Sequence, residues 1–226
     1  MTQELKQRIE QIWSGKTPKG YKRGKLGIMP TGWAIVPFRQ MFKPLNRRNT
    51  TGNTNVLTIS ARHGLISQDT FFNKSVASHD TSNYFLLYRG DFAYNKSYSK
   101  GYPFGALKPL RLYESGIVSP LYICFSPSDE NHCPEYYAQY FDAGLMNQEI
   151  QAFAQEGARN HGLLNISVHD FFNSSLLFPP LKEQRKIAAI LSAQDKVIEL
   201  LEQKLEQEKR KKKALSQLLL TGIVRV

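Results

Sequence analysis

The chain is poor in cysteine and has no long apolar run, and each shortage excludes a class of protein. Its 226 residues include two cysteines, Cys124 and Cys133, too few for a disulfide framework or a four-cysteine zinc site. No apolar stretch approaches the roughly 18 residues that a membrane-spanning helix needs. The first residues, MTQELKQRIEQIW, are charged throughout and contain no apolar core of a signal peptide. We therefore expect a cytoplasmic protein.

Acidic residues are also scarce, with 19 Asp and Glu against 30 Lys and Arg, a formal net charge of +11. Residues 1–62 hold 12 basic and 2 acidic residues, residues 63–180 hold 7 and 11, and residues 181–226 hold 11 and 6. The positive excess therefore lies at the two ends of the chain. It favours a polyanionic partner, although solvated lysine-rich faces would give the same net charge.

The usual catalytic and cofactor motifs are missing. There is no GxxxxGK[ST] phosphate loop, no GxGxxG after a strand, and no HExxH among the five histidines. Cys133 has His132 beside it, but side chains of adjacent residues point apart, so a thiol–base pair is not expected. The Asn/Asp-Pro-Pro-aromatic tetrapeptide of amino-methyltransferases is absent as well. We predict a non-catalytic protein with no cofactor and no metal.

Three zones follow one another along the chain. Residues 1–32 combine a short amphipathic helix, up to Trp13, with a stretch in which seven of nineteen residues are Gly or Pro, which predicts an irregular arm. Residues 33–180 predict a mixed α/β domain, so the fold class is α+β. Its strands are expected at Ala34–Pro37, Val56–Ser60, Tyr84–Tyr88, Phe92–Tyr94, Leu107–Leu112 and Leu121–Phe125. Helices are expected over 134–156, broken at Gly144, and after a capping box formed by Ser167 and Asp170.

The third zone, residues 181–226, predicts one long helix. No Gly or Pro occurs in the 40 residues from Leu181 to Leu220, and Pro179-Pro180 and Gly222 bound them. At 1.5 Å per residue the helix is about 60 Å long. The tract Lys209–Lys213 inside it is either a solvated face or a surface for phosphates or an acidic partner.

A seven-residue repeat on this helix predicts a coiled-coil seam with an interrupted middle. Its ten positions are Ile187, Leu191, Gln194, Ile198, Leu201, Leu205, Glu208, Lys212, Leu215 and Leu219. The seven apolar ones are the predicted dimer interface, namely Ile187, Leu191, Ile198, Leu201, Leu205, Leu215 and Leu219. The alternative is a helix packed on its own domain.

Several blocks of the chain make it recognisable. The run LLFPPLKEQRKIAAIL and the helix after it resemble the corresponding junction in the DNA-specificity (S) subunits of type I restriction–modification systems. PTGWAIVPF, RGDFAYNKSYSKGYPFGALKPL, SGIVSPLYICF and EGARNHGLLNISVHDFF resemble the blocks of their target-recognition domain, in the same order. The resemblance covers about residues 30–226.

The resemblance implies a function without chemistry of its own. Such subunits read a bipartite double-stranded DNA target with two target-recognition domains held apart by long helices. They recruit modification subunits that bind S-adenosylmethionine and methylate adenine, and a restriction subunit can add cleavage.

This chain has one recognition domain and one long helix, where typical members have two of each. We expect a half-subunit that forms an antiparallel homodimer and reads an inverted repeat. The alternatives are a fragment of a full-length specificity subunit and a non-catalytic coiled-coil DNA-binding or adaptor protein.

Base edges are read by Arg, Asn, Gln and Ser or Thr side chains, and phosphates are held by Lys and Arg. Three polar loops have this composition. The residues predicted to contact DNA are Arg47, Arg48, Asn49, Thr51 and Asn53 in the first loop, Arg62 and His63 in the second, and Tyr94, Asn95, Lys96, Ser97 and Lys100 in the third.

Overall fold

The computed structural model describes residues 2–60, 63–69, 80–99, 101–129, 132–156, 162 and 164–225. The chain divides into two units, residues 1–184 and residues 185–226. The first unit mixes short strands with short helices, and the second is the greater part of one long helix. The predicted α+β class with a long C-terminal helix is confirmed.

The strands of the first unit are short and pair antiparallel. They are β1 (Tyr21–Gly24), β2 (Gly27–Pro30), β3 (Ala34–Pro37), β4 (Phe42–Pro44), β5 (Leu57–Ser60), β6 (Gly64–Ser67), β7 (Phe85–Tyr88), β8 (Phe92–Asn95), β9 (Ala106–Pro109), β10 (Ser115–Val118), β11 (Ile123–Pro127), β12 (Gln155–Glu156), β13 (Leu164–Asn165) and β14 (Ser175–Phe178). The helices are α1 (Gln3–Trp13), α2 (Phe38–Met41), α3 (Pro134–Asp142), α4 (Asn147–Phe153), α5 (Val168–Asn173) and α6 (Leu181–Leu220).

The predicted irregular arm is wrong over residues 21–30, which form the β1–β2 hairpin. Gly24 pairs with Gly27 across a two-residue turn, and Gly27 has a φ of 106°, which a residue with a Cβ rarely adopts. A Cβ on Gly24 would lie 2.2 Å from the Met29 methyl carbon. These glycines serve a turn and close packing, so their number did not indicate irregular chain.

A four-stranded sheet in the order β4–β11–β8–β9 forms the centre of the first unit. Each predicted strand overlaps an observed one, but β4, β6, β10, β12, β13 and β14 were not anticipated, and β12 replaces the end of the helix predicted over 134–156. These strands are two to four residues long and lack an alternating apolar pattern, so periodicity alone could not find them.

Aromatic rings fill the core beside this sheet. The Phe38 ring centroid lies 4.8 Å from that of Phe42, 5.0 Å from Phe125 and 4.7 Å from Phe171. Tyr137 also packs edge-on against Phe42, at 5.5 Å. Rings bury large apolar areas and gain further from edge contacts, so this cluster fixes the elements that carry it.

The segments that carry the family-like blocks are joined at one place in the first unit. Strand β3 pairs with β14, and the Trp33 indole Nε1 donates to Glu183 at 2.9 Å. The Gln184 side chain is fully buried. It accepts from the Cys133 backbone amide at 2.9 Å and donates to the Pro179 carbonyl at 2.8 Å. Glu183 and Gln184 of the PPLKEQ sequence thus form a clamp that joins the segments at Trp33, Cys133 and Pro179.

The long helix runs from Leu181 to Leu220, as the sequence predicts. After it, Gly222 has a φ of 73°, and the Gly222 and Val224 amides donate to the carbonyls of Leu219 and Leu218. This arrangement ends the helix in the usual glycine-dependent way. Among the helices of the described residues, none is long and apolar enough to cross a membrane.

Candidate nucleic-acid interface

The first predicted loop is anchored by Arg47. Its guanidinium Nη2 lies 2.6 Å from Asp91 Oδ2, and its Cζ lies 4.5 Å from the Tyr88 ring centroid. Burial raises the pKa of Asp91 above its ordinary value, while the Tyr88 backbone amide and the Arg47 charge lower it. A nearly buried carboxylate needs such a partner, so Arg47 has a structural role whether or not it meets DNA.

Arg48 is exposed but also has partners within the chain. Its Nη1 donates to the Asn83 carbonyl at 2.6 Å, and its Cζ lies 4.2 Å from the Phe85 ring centroid. These contacts hold the guanidinium at the surface in one orientation. Arg48 can therefore meet a phosphate or a base edge without paying the full entropy cost of ordering a free side chain.

Two asparagines of the same loop face inward. Asn49 is buried; its Oδ1 accepts from the Asn53 amide at 2.9 Å, and its Nδ2 donates to the Asn53 carbonyl at 2.9 Å. Asn53 is half-buried and donates to the Ser115 hydroxyl at 2.9 Å. Their amide groups close the loop, so a base-reading role for Asn49 does not fit its position. Thr51, between them, is exposed.

The second predicted loop is only partly described, because Arg62 lies outside the described residues. His63 is exposed, and its backbone amide donates to the Ser60 hydroxyl at 3.2 Å. His63 lies between the paired strands β5 and β6, and the Ser60 hydroxyl at the end of β5 holds its backbone in place. His63 is left available at the surface.

In the third predicted segment Tyr94 belongs to the core. It is fully buried, its ring stacks on Phe171 at 5.1 Å, and its hydroxyl donates to the Phe104 carbonyl at 2.7 Å. Burial raises the pKa of Tyr94 above its usual range. The DNA-contact prediction for Tyr94 does not fit this position: one buried partner satisfies its polar atom, and the rest of the ring is apolar.

The residues after Tyr94 form a turn that displays polar groups. The Ser97 amide donates to the Asn95 side chain at 3.1 Å, and the Tyr98 amide donates to the Gly162 carbonyl at 2.7 Å. Asn95, Lys96 and Ser97 are half-buried, whereas 63% of Tyr98 is exposed. An exposed tyrosine beside a lysine is a combination that nucleic-acid surfaces use.

Lys96 is a half-buried cation in the third predicted segment. Burial lowers the pKa of Lys96 below its ordinary value. The side chain thus carries its charge at a cost to folding, which is a feature of functional sites. A phosphate placed beside it would relieve that cost. Lys100 lies outside the described residues.

A brace that sequence reasoning missed lies beside this turn. The Tyr102 hydroxyl donates to Asp142 Oδ1 at 2.5 Å, and the buried Lys108 ammonium donates to both Tyr102 and Asp142. Burial, and then the Asp142 carboxylate, raises the pKa of Tyr102. The alternation of Tyr and Lys in this block was visible in the sequence, but the Asp142 partner lies 34 residues from Lys108.

Support for the turn also comes from Gly105. It has a φ of 80°, and a Cβ there would lie 2.2 Å from the Asn95 carbonyl oxygen. Only glycine allows β9 to begin so close to the end of β8. The structure therefore separates the described predicted residues into three sets. Asn49 and Tyr94 are buried scaffold, Arg47 and Asn53 bond to neighbouring segments, and the set open to a ligand is Arg48, Thr51, His63, Asn95, Lys96 and Ser97.

The two cysteines give no nucleophile. Burial raises the pKa of both the Cys124 and the Cys133 thiol, which disfavours the reactive thiolate. The Cys133 thiol donates to Glu135, and His132 Nδ1 faces Asp129 instead of the thiol. In the part of the chain that the structure describes, no group of three or more His, Cys, Asp or Glu could hold a metal ion.

Residues 111–210 match the family model described as type I restriction modification DNA specificity domain. Over these residues the chain is similar to such a specificity domain. The match spans the end of the first unit and most of the long helix, which includes the Gln184 clamp. Specificity subunits of this family are non-catalytic, which supports the prediction of a chain without enzyme activity.

Solved structures with a similar fold are titled as parts of the same systems. The HsdS subunit from Thermoanaerobacter tengcongensis aligns with a TM-score of 0.51 and 14% identity, over 96% of this chain and 51% of that one. The S subunit from M. genitalium gives 0.52 and 14%, over 82% and 45%. A chain from a study titled as complex assembly and conformational transition of the type I R-M system gives 0.54 and 16%, over 95% and 50%.

These likenesses concern the fold. This chain spans about half the length of the solved structures that it matches.

Proposed function

We propose that the chain is a half-sized specificity subunit that recognises double-stranded DNA as a homodimer. Two copies join through their long helices, and the assembly reads a bipartite inverted repeat. The modification subunits of a type I system dock on it and methylate adenine in that target. In this role the chain is an intracellular protein.

The observation that carries the proposal is the combination of a specificity-domain match with a surface turn that holds a desolvated lysine beside an exposed tyrosine. Lys96 meets phosphates, and Asn95 and Ser97 supply donors and acceptors for base edges. Arg48, Thr51 and His63 form a second contact area. The buried Asn49 and Tyr94 hold these surfaces in shape.

A second copy is needed on energetic grounds. One domain with a few phosphate contacts binds DNA at roughly 10⁻⁴–10⁻⁶ M at physiological salt. Linking two domains raises the effective affinity by about 10²–10⁴. The long helix supplies the means, because its seam leucines are exposed in the single chain: Leu201 by 61% and Leu205 by 55%.

The test is the salt dependence of duplex binding by the full chain and by the variant Leu201→Lys with Leu205→Lys. The parent chain should bind its target with a steep loss of affinity as salt rises. The variant should fold, lose the dimer in sedimentation, and lose specific binding. Tight specific binding by the monomeric variant would contradict the proposal.

The competing hypothesis is a coiled-coil adaptor without nucleic-acid affinity. It predicts no binding to duplex DNA at low salt and no salt dependence. The positive excess in residues 1–62 favours the DNA-binding hypothesis over the adaptor.

A further inference from the structure

The seam of the long helix has a hidden mirror symmetry. We propose that two copies of α6 pair antiparallel with their dyad at Gln203, an inference that rests on the homodimer proposed above and adds its register. In this arrangement a residue a given number of positions before Gln203 faces the residue the same number after it. All ten seam positions then face another seam position. The facing pairs are Ile187 with Leu219, Leu191 with Leu215, Gln194 with Lys212, Ile198 with Glu208, and Leu201 with Leu205.

This register uses the exposed apolar side chains well. Leu201 and Leu205 face each other twice at the dyad, and they are 61% and 55% exposed in the single chain. The outer pairs bring Leu191, which is 41% exposed, against Leu215, which is 48% exposed. Apolar layers therefore lie at the centre and towards both ends of the paired helices, where burial stabilises the pair most evenly.

The polar seam residues explain why the helices do not pair in parallel. A parallel, in-register pair would place Glu208 against its own copy and Lys212 against its own copy inside the seam. Like charges facing each other in a seam are strongly unfavourable. The mirror register instead places Glu208 beside Ile198 and Lys212 beside Gln194, where the long stems are covered and the charged ends reach water.

The flanks of the seam give independent support from charge and apolar character. In an antiparallel pair, positions on the same flank face each other. On one flank Asp195 comes beside Lys209 of the partner subunit, a favourable pair formed twice. On the other flank Ile190, which is 70% exposed, comes beside Leu218 of the partner subunit. At the dyad itself, Glu202 and Lys204 each come beside the same residue of the partner subunit, and these two like-charge contacts offset the two Asp195–Lys209 pairs. A parallel pair would make two contacts between Lys204 and Lys209 of the partner subunit with no opposite-charge flank pair to offset them.

Shifting the antiparallel pair loses either the apolar matches or much of the overlap between the helices. A shift of one heptad towards the C-terminus leaves Ile198 with Leu215 as the one apolar pair among the seam positions and puts Leu201 against Lys212. A shift of two heptads pairs Leu201 with Leu219, Leu205 with Leu215 and Glu208 with Lys212. The helices then overlap over only about 20 residues, so the outer apolar pairs of the helix are lost. The mirror register at Gln203 overlaps most of the 40-residue helix.

Three outward positions can report the register without disturbing the seam. Lys196, Gln203 and Arg210 are exposed, lie seven residues apart and are on the side opposite the seam. Each is replaced by cysteine in the full chain, carries a nitroxide, and yields a distance between copies by pulsed electron paramagnetic resonance. The buried thiols of Cys124 and Cys133 stay in place, and the parent chain is the control for their labelling.

The proposal predicts the shortest distance at residue 203 and equal, longer distances at residues 196 and 210. The displacement along the helix axis is zero at 203 and about 21 Å at each of the other two. A one-heptad shift makes the displacements at 196 and 210 about 31 Å and about 10 Å, and a parallel pair gives one distance at all three. Unequal distances at 196 and 210, one common distance, or no dipolar coupling would each overturn the register.

DNA binding by the same labelled chains separates this inference from the proposed function. Equal distances at 196 and 210 without DNA affinity would support the register and contradict the proposed function. Specific DNA binding with another set of distances would support the function and contradict the register.

A charge-reversal pair tests the flank contact. Asp195→Lys should weaken dimerisation several-fold because it faces Lys209 of the partner subunit, and adding Lys209→Asp should restore the parent dissociation constant in sedimentation. Matched controls are Glu199→Lys alone and with Lys213→Asp, a pair in the helix that does not border the seam. A second substitution that fails to restore the dimer in the Asp195 background would contradict the register.

Discussion

The two polar stretches at 46–53 and 94–99 look alike in the sequence but differ in where their polar atoms go. In the first, Asn49 and Asn53 bond to each other and to neighbouring loops, and Arg47 neutralises Asp91. In the second, the backbone makes the closing bonds, and the side chains of Lys96 and Ser97 are left half-exposed beside Tyr98. A polar composition thus indicates a surface loop, but only the hydrogen bonds show which loop has side chains available to contact DNA.

The largest effect is expected at the support of the second stretch. Gly105→Ala should lower the free energy of unfolding by about 3 kcal/mol, because a Cβ there meets the Asn95 carbonyl and the residue also has a φ of 80°. The measurement is urea unfolding of the full chain. Gly90→Ala is the control, since Gly90 has a φ of 92° and a Cβ on it would have nothing within 4 Å. Equal losses in the two variants would contradict the close approach.

The next largest effect is expected at Asn49, the buried residue of the first stretch. Asn49→Ala should cost about 2 kcal/mol of folding free energy, because the bonds to Asn53 and Thr81 are lost inside the protein. Denaturant unfolding measures the loss, with the exposed neighbour Thr51→Ala as the control. If Asn49 reads a base instead, the variant will keep its stability and change its preferred DNA sequence.

The second stretch should dominate binding. Lys96→Met should weaken duplex affinity about tenfold and lower the slope of log affinity against log salt by about one, because one phosphate contact is lost. Fluorescence anisotropy over a salt series measures both. Lys196→Met removes the same charge from the outward side of the long helix and should leave both quantities unchanged. Equal behaviour of the two variants would remove Lys96 from the interface.

Lys96→Met also gives a test through the pH dependence of folding stability. Burial lowers the pKa of Lys96, so the folded chain binds fewer protons at this group than the unfolded chain between the folded pKa and the ordinary lysine value. The destabilisation from Lys96 is therefore greatest at neutral pH and fades as pH rises through that window. Lys96→Met should be the more stable protein at neutral pH, with a difference that narrows in alkaline solution. A pH-independent difference would contradict the desolvated charge.

The smallest effect is expected at Arg48. Arg48→Gln should weaken duplex binding only about threefold, because its guanidinium shares its donors with the Asn83 carbonyl. Anisotropy at fixed salt measures it against the parent chain. A loss larger than that of Lys96→Met would reverse the ranking of the two stretches.

The sequence predicts features that depend on neighbouring residues better than features that depend on contacts between distant segments. The long helix follows from the absence of Gly and Pro between Leu181 and Leu220, and the capped helix α5 follows from Ser167, whose hydroxyl accepts from the Asp170 amide. Both are local patterns. The burial of Tyr94 depends on Phe171, a residue far along the chain, and no local pattern reports it.

The same limit applies to the candidate interface. The sequence finds the polar segments and the family-like blocks, but it does not distinguish Asn49 from Lys96, since both are polar residues in polar segments. Asn49 is structural because it bonds to Asn53 and Thr81, whereas Lys96 differs because it is partly buried. These are properties of packing between segments, which residue type and spacing do not contain.

The most direct test of the account is enrichment of bound sequences from random duplex DNA by the full chain, with the Leu201→Lys, Leu205→Lys variant in parallel. The account predicts that the parent chain selects two identical half-sites in inverted orientation with a fixed spacer, and that the variant selects nothing. Selection of two unrelated half-sites, or of one half-site alone by both proteins, would contradict it.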